Sequence, residues 1–261
     1  MSKEFKLHDL VEKVQAYFPT ADVDLIRKAH DFSAEVHTGQ KRLSGEPYLI
    51  HPIAVADIIA DLKLDVPSIV GALLHDTVED TLTTLDEIKS LFGREIAALV
   101  DGVTKLSRTN YTSHEEKQAE NFRKMILAMG KDVRVILIKL ADRVHNMRTL
   151  DHMPADKQIL TAQETMDIYA PLAHRLGIAW VKSELEDLAL KYLHPEVYYQ
   201  LKRNVAKKKT DREKYIEEVI SIIGKKLEAE GIDAEVTGRS KHFYSIYQKM
   251  ESQNLLYDQI Y

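Results

Sequence analysis

From Asp24 to about Arg203 the apolar residues recur at intervals of three and four, the period of helices with one buried face. Short punctuations fall at Ser44-Gly-Glu-Pro47, Val66-Pro67, Gly93, Gly102, Gly130 and Met153-Pro154. Ser68, Thr84, Ser113, Asp132 and Asp156 stand where amino-terminal caps are expected. No strand–helix alternation occurs in this stretch, so it predicts an all-α domain of many helices. The polar run Lys202 to Tyr215, with Lys207-Lys-Lys209, reads as a solvated helix face or connector rather than a nucleic-acid patch. Beyond it the pattern changes. Ile216, Val219, Ile220, Ile223 and Leu227 predict an amphipathic helix, and Gly231 to Gly238 alternates like a strand, as at the start of an α/β unit. The expected boundaries are residues 1–203, a connector at 204–214, and 215–261.

Within the helical region, the run Ile69 to Leu74 is apolar throughout and leads into His75-Asp-Thr-Val-Glu-Asp80. If the segment stays helical, His75 lies above Glu79 and Asp76 above Asp80, because residues four apart share a face. Imidazole and carboxylate donors suit Mn, Fe or Zn, and an acid outside the coordination sphere can act on a water bound to the metal. His-Asp also occurs at His8-Asp9 and His30-Asp31, so context discriminates: only His75-Asp76 follows a run built to be buried. The plain alternative is a core histidine hydrogen-bonded to its neighbour. Three acids buried beside one histidine would each cost as much as an unpaired buried charge, a conflict that a divalent cation removes.

Two other segments supply partners. In Arg42-Leu-Ser-Gly-Glu-Pro-Tyr-Leu-Ile-His51-Pro52, His51 stands before a proline suited to a helix entrance, and Arg42 can fork two phosphate oxygens beside a glycine loop. In Val133 to Leu150, Asp142, Asn146 and Thr149 share one helical face. Asp142 is the candidate fourth ligand, and Asn146 and Thr149 are candidate hydrogen-bonding partners of a nucleotide. Arg143 and Arg148 have a simpler reading as partners of acids on neighbouring helices.

Composition narrows the chemistry. The 261 residues are 44% hydrophobic and 30% charged, with 10 Gly and 7 Pro, which is a compact, helix-rich profile. With no cysteine, any metal must be held by His, Asp and Glu. A net charge of −5 argues against broad nucleic-acid binding, although a metal and a few placed Arg or Lys residues still let an acidic protein hold a polyphosphate. No apolar run approaches the roughly 20 residues that cross a bilayer, and the start lacks a secretory signal core, so a cytoplasmic protein is expected.

The order His, His-Asp, distant Asp resembles the ligand pattern of the HD phosphohydrolase superfamily. Four longer segments resemble its RelA/SpoT (Rel) stringent-response family: Ser44 to Pro52, Leu74 to Thr81, Leu99 to Leu106 and Ile138 to Thr149. Tyr169-Ala-Pro-Leu-Ala-His-Arg-Leu-Gly177 and the Gly238 to Tyr247 segment extend the likeness over nearly the whole chain. The resemblance implies an all-α, Mn-dependent HD hydrolase domain that removes the 3′-pyrophosphate of (p)ppGpp, followed by the incomplete start of an α/β synthetase domain. It implies His51, His75, Asp76 and Asp142 as metal ligands, Glu79 and Asp80 as the pair that positions and activates water, and Arg42, Ser44, Asn146 and Thr149 at the nucleotide. Some long family members have lost hydrolysis by replacing the His-Asp and Glu-Asp residues, which are intact here. Leu43 stands where some relatives carry a basic residue. The synthetase's Mg-binding Asp would follow Tyr261, so this chain is not expected to synthesise (p)ppGpp. Full-length family members are linked to the ribosome and to regulatory domains.

Three other readings compete: an HD phosphohydrolase for another nucleotide, a module that senses (p)ppGpp without cleaving it, and nucleic-acid binding through Lys207 to Lys209. The Glu79 and Asp80 pair counts against a pure sensor.

Overall fold

The computed structural model describes residues 3–107, 123–125, 127–207 and 209–260. The expected cap Ser113 lies outside them. The chain opens with α1 (Lys3–Tyr17) and α2 (Val23–Val36), followed by α3 (Ile50–Asp61), α4 (Val66–Leu74), α5 (Thr77–Asp80), α6 (Leu85–Phe92) and α7 (Arg94–Ser107). Then come α8 (Val133–Arg148), α9 (Ala155–Glu164), a π-helical turn (Thr165–Tyr169), α10 (Ala170–Arg175) and α11 (Ala179–Leu193). The last helices are α12 (Pro195–Lys207), α13 (Lys209–Ala229) and α14 (Phe243–Gln253).

The core forms around α4. Its sequence is apolar on every side, so it can be stable only when surrounded, and α2, α3, α7 and α8 pack around it. At Gly102 on α7 a Cβ would come within 2.7 Å of Val135 Cγ2, so glycine there is what lets α7 approach α8. Gly102 and Gly130, read above as punctuations, both lie within helical segments.

Cap assignments divide. Thr84 and Asp132 cap α6 and α8 through Glu87 N and Arg134 N. Ser68 does not cap α4. Asp65 does, accepting from Ser68 N at 3.1 Å, because Pro67 already occupies the first turn. Asp156 sits inside the first turn of α9, behind Pro154. The amino-terminal segment before Asp24, outside the stretch whose period predicts helices, forms α1 and buries Leu10, Val11 and Val14.

The alternating segment Gly231 to Gly238 is not a strand, and no strand occurs among the described residues beyond an isolated Lys41–Pro47 bridge. A strand requires a neighbouring ladder for its backbone groups. Here the segment runs back along α13, where a Cβ on Gly238 would come within 2.7 Å of Ile216 Cγ2. The described residues of 204–214 are helical, shared between α12 and α13. A second small core of Leu190, Leu201, Ile246 and Tyr257 joins α14 to α11 and α12. Asp187 of α11 fastens it by accepting from Tyr244 N at 2.8 Å and Phe243 N at 3.2 Å, in place of an N-cap. His242 joins Asp187 at 3.0 Å, so part of the basic and aromatic segment has a structural task.

Candidate active site

His51 enters as the second residue of α3, His75 and Asp76 occupy the corner between α4 and α5, and Asp142 lies in the middle of α8. Two of these locations lie within helices of the core and the third at a corner between two helices. The helix expected to run through Asp80 breaks at His75-Asp76 and resumes as the single turn α5. At this break the donors of both residues face His51 and Asp142. His51 Nε2 lies 3.3 Å from Asp76 Oδ2 and 3.3 Å from Asp142 Oδ1, and His75 Nε2 lies 3.1 Å from Asp76 Oδ1. Donor atoms of His51, His75 and Asp142 all fall within 4.8 Å of one another, and all three residues are buried.

The donor set fits a divalent cation. His75 Nδ1 donates to Ala72 O at 2.8 Å, which aims Nε2 into the cluster, where a bound cation would take the place of its proton. That buried Nε2 faces the Asp76 and Asp142 carboxylates at 3.1 and 3.9 Å. Burial disfavours charge on His75, yet Asp76 and then Asp142 outweigh it and push the imidazole up to about 9. Burial likewise works against the Asp76 carboxylate, and the neighbouring His75 and His51 hold it well below the usual range. Asp142 is held down against its burial by Lys139 and then by the two histidines. The pocket therefore favours positive charge at its centre.

Several residues that the sequence reading did not single out surround these donors. His51 Nδ1 meets His145 Nδ1 at 2.7 Å in a buried contact, and burial together with His51 and Arg42 pushes His145 down to about 3, keeping it neutral. A neutral His145 can accept from His51 Nδ1–H, which orients His51 Nε2 toward the acids. Lys139 Nζ donates to Asp142 Oδ2 at 2.6 Å. Tyr48 Oη lies 2.7 Å from Asp76 Oδ2 and 2.6 Å from Asp80 Oδ2. Tyr48 is only three residues before His51, but no local pattern signals that it reaches acids 28 and 32 positions away.

Glu79 and Asp80 are exposed rather than buried, which corrects the picture of three acids sunk beside one histidine. They line a cavity of about 310 Å³ together with His51, Asp76 and Asp142. A second lobe of about 530 Å³ is lined by Leu43, Ser44, Thr149, Leu150 and Met153. Arg42, Tyr48, Lys139, Asp142, Arg143, Asn146 and Glu164 border both.

Arg42 projects from a tight loop closed by Arg42 N to Glu46 O at 2.9 Å, with Gly45 at φ +84°, a conformation that suits glycine. Its guanidinium donates to Asn146 Oδ1 at 2.9 Å, and Asn146 Nδ2 donates to Asp142 Oδ1 at 2.5 Å. Thr149 Oγ1 lies 3.5 Å from Arg42 Nη2. The Ser44 hydroxyl lies 3.4 Å from Glu46 Oε2. Arg143 pairs with Glu164 at 2.8 Å and stacks on Tyr169 at 3.9 Å, and Arg148 pairs with Glu184, as expected of both arginines. The other His-Asp pairs stay outside the site: His8 is exposed beside Glu12, and His30 bonds Asp31 on α2.

Residues 29–179 match the profile of the HD domain family. A GTP pyrophosphokinase from Myxococcus xanthus is 59% identical over 251 residues, covering 95% of this chain and 33% of that protein. The bifunctional (p)ppGpp synthase/hydrolase SpoT of Escherichia coli K12 is 47% identical over 246 residues, covering 94% and 35%. A guanosine-3′,5′-bis(diphosphate) 3′-pyrophosphohydrolase from Aquifex aeolicus is 46% identical over 264 residues, covering 100% and 37%. The chain thus spans about a third of the length of the curated relatives it matches. With more than half its residues in the matched segment, and with a His-His-Asp centre suited to the divalent metal that such a domain implies, the chain belongs to the HD domain family.

Proposed function

We propose that this chain hydrolyses the 3′-pyrophosphate of (p)ppGpp to GDP or GTP plus pyrophosphate, with Mn²⁺ held by His51, His75, Asp76 and Asp142. The observation that carries this reading is the convergence of those four side chains beside a cavity that also presents Glu79 and Asp80. Relatives named for (p)ppGpp synthesis and hydrolysis support the choice of substrate.

When bound, the divalent ion supplies a Lewis acid that polarises phosphate oxygen and acidifies water. Glu79 and Asp80 orient the attacking water and accept its proton. The water oxygen bonds to the phosphorus on the ribose 3′ oxygen, the bond between them breaks, and the 3′ oxygen takes a proton. Arg42 and Lys139 lie where phosphate charge would gather, and Asn146, Thr149 and Ser44 offer hydrogen bonds along the second lobe. Residues 1–203 carry this activity in our reading, and residues 215–261 begin a synthetase unit beyond a junction at 204–214. No described helix is long and apolar enough to cross a membrane, and we assign the activity to the cytoplasm.

The test is pyrophosphate release from ppGpp by the metal-stripped chain, with and without Mn²⁺, beside Glu79→Ala. Mn-dependent release that the substitution abolishes is the expected result. Tight ppGpp binding without release would leave a sensing module. Faster turnover of deoxynucleoside triphosphates or cyclic nucleotides would move the assignment to another nucleotide.

A further inference from the structure

We propose that Tyr48 is a positioning residue that sets Asp80 against the metal-ligating Asp76, and that His37 is the platform that holds Tyr48 in place. The proposal rests on the hydrolase reading above and assigns a task to two residues that reading leaves unused.

Asp80 needs an external support. It closes α5, a helix of one turn, its side chain is exposed, and the chain leaves it in an extended conformation at Thr81. An exposed carboxylate in such a place samples several rotamers, and a group that takes a proton from a reacting water must be held in one. Two contacts hold it, both from the segment after α2. Gln40 Nε2 donates to the Asp80 carbonyl at 3.1 Å, and the Tyr48 hydroxyl meets the Asp80 carboxylate at 2.6 Å. Tyr48 N in turn donates to Gln40 O at 3.1 Å, so the two supports are tied together. The same oxygen lies 2.7 Å from Asp76 Oδ2, and its single proton serves either carboxylate, so Tyr48 stands between the two acids and ties their positions to one ring.

Tyr48 is itself held by its face. The His37 ring lies parallel to it, 4° between planes and 4.7 Å between centroids. His37 ends α2, is buried, and donates Nδ1–H to Ser33 O at 2.8 Å, which fixes its plane in the core. His51 meets the Tyr48 ring edge-on at 6.0 Å, and the Arg42 guanidinium lies 5.9 Å from the ring centroid. A rigid ring with two side-chain torsions, stacked on an anchored imidazole, is a suitable rod for setting a distance.

The experiment uses the full chain. Tyr48→Phe keeps the ring and removes the hydroxyl. Its kcat should fall at least about 30-fold, the scale of a misplaced general base. KM for ppGpp and Mn²⁺ affinity, titrated on the metal-stripped protein, should each stay within about threefold of the parent. His37→Ala should reproduce the kcat defect, and His37→Phe, which restores a stacking face, should recover most of it. A Tyr48→Phe kcat within about twofold of the parent overturns the proposal, as does loss of Mn²⁺ affinity in proportion to kcat, which would make Tyr48 a support of the ligand alone. If the parent chain does not cleave ppGpp, the functional reading fails and crystal structures with Mn²⁺ decide the positioning role. An Asp80 side chain swung away from Asp76 in Tyr48→Phe supports it, and an unmoved one overturns it.

Discussion

The two lobes of the cleft are built by opposite means. In the metal lobe His51, His75 and Asp142 are buried on α3, at the α4–α5 corner and on α8, so each donor inherits the rigidity of the helix core. The second lobe takes Arg42, Leu43 and Ser44 from a loop, with Leu43 70% exposed, and Leu150 and Met153 from the turn after α8. A cation site tolerates little error in donor placement, and packed helices supply that accuracy. A loop-built lobe suits the nucleotide of the proposed function, because a loop can adjust to a large flexible ligand. A chain of hydrogen bonds, Arg42 to Asn146 to Asp142, runs between the lobes.

This contrast predicts separable defects. The largest belongs to the metal lobe: His75→Ala should lose Mn²⁺ binding and at least about 10³-fold in turnover, read by metal analysis and pyrophosphate release. Asp80→Asn should follow, with turnover down about 10² to 10⁴-fold and Mn²⁺ binding kept. Equal metal loss in both would put Asp80 among the ligands. In the second lobe, Arg42→Ala should raise KM about 10-fold, the scale of one charge-assisted hydrogen bond, with kcat changed little. Asn146→Ala is the variant able to break the contrast, because its amide serves both lobes. We expect it to raise KM and weaken Mn²⁺ binding together, and a pure KM effect would mean that the lobes are uncoupled.

The remaining effect is on stability. His145 is held neutral in the fold near a pKa of about 3, against 6.5 unfolded. Below 6.5 the unfolded chain therefore binds the extra proton, and the stability present above that pH is lost as pH falls toward 3. The unfolding free energy of the metal-free protein, from urea titrations, should decline from about pH 6.5 downward, before most carboxylates titrate, by an amount on the order of a few kcal/mol. His145→Gln should flatten that decline. An unchanged profile would assign the acid sensitivity to Asp76 and Asp142.

Over the described residues, the helical period from Asp24 to about Arg203 was legible, because a buried face must repeat every three to four positions. So were the candidate ligands, because His75-Asp76 follows a run that has to be buried. Gly231 to Gly238 misled for the converse reason: alternation describes which residues would share a face, and only a neighbouring strand makes that face real. α1 was overlooked although Leu7, Leu10, Val11 and Val14 carry the same period as its neighbours, since charged residues separate them. The break at His75-Asp76 could not be read locally, because both residues keep right-handed helical dihedrals and only the hydrogen bonding of the ladder changes.

The chain taken alone specifies which donors exist, which helices carry them and the sign of charge they can bind, since those follow from residue type and short-range period. Tertiary packing decided that His51, His75, Asp76 and Asp142 converge within a few ångströms, that Glu79 and Asp80 stay in reach of solvent, and that Tyr48, His37 and His145 stand behind them. Such contacts join residues far apart in sequence, and their distances come from how α3, α4 and α8 cross rather than from any pattern along one segment.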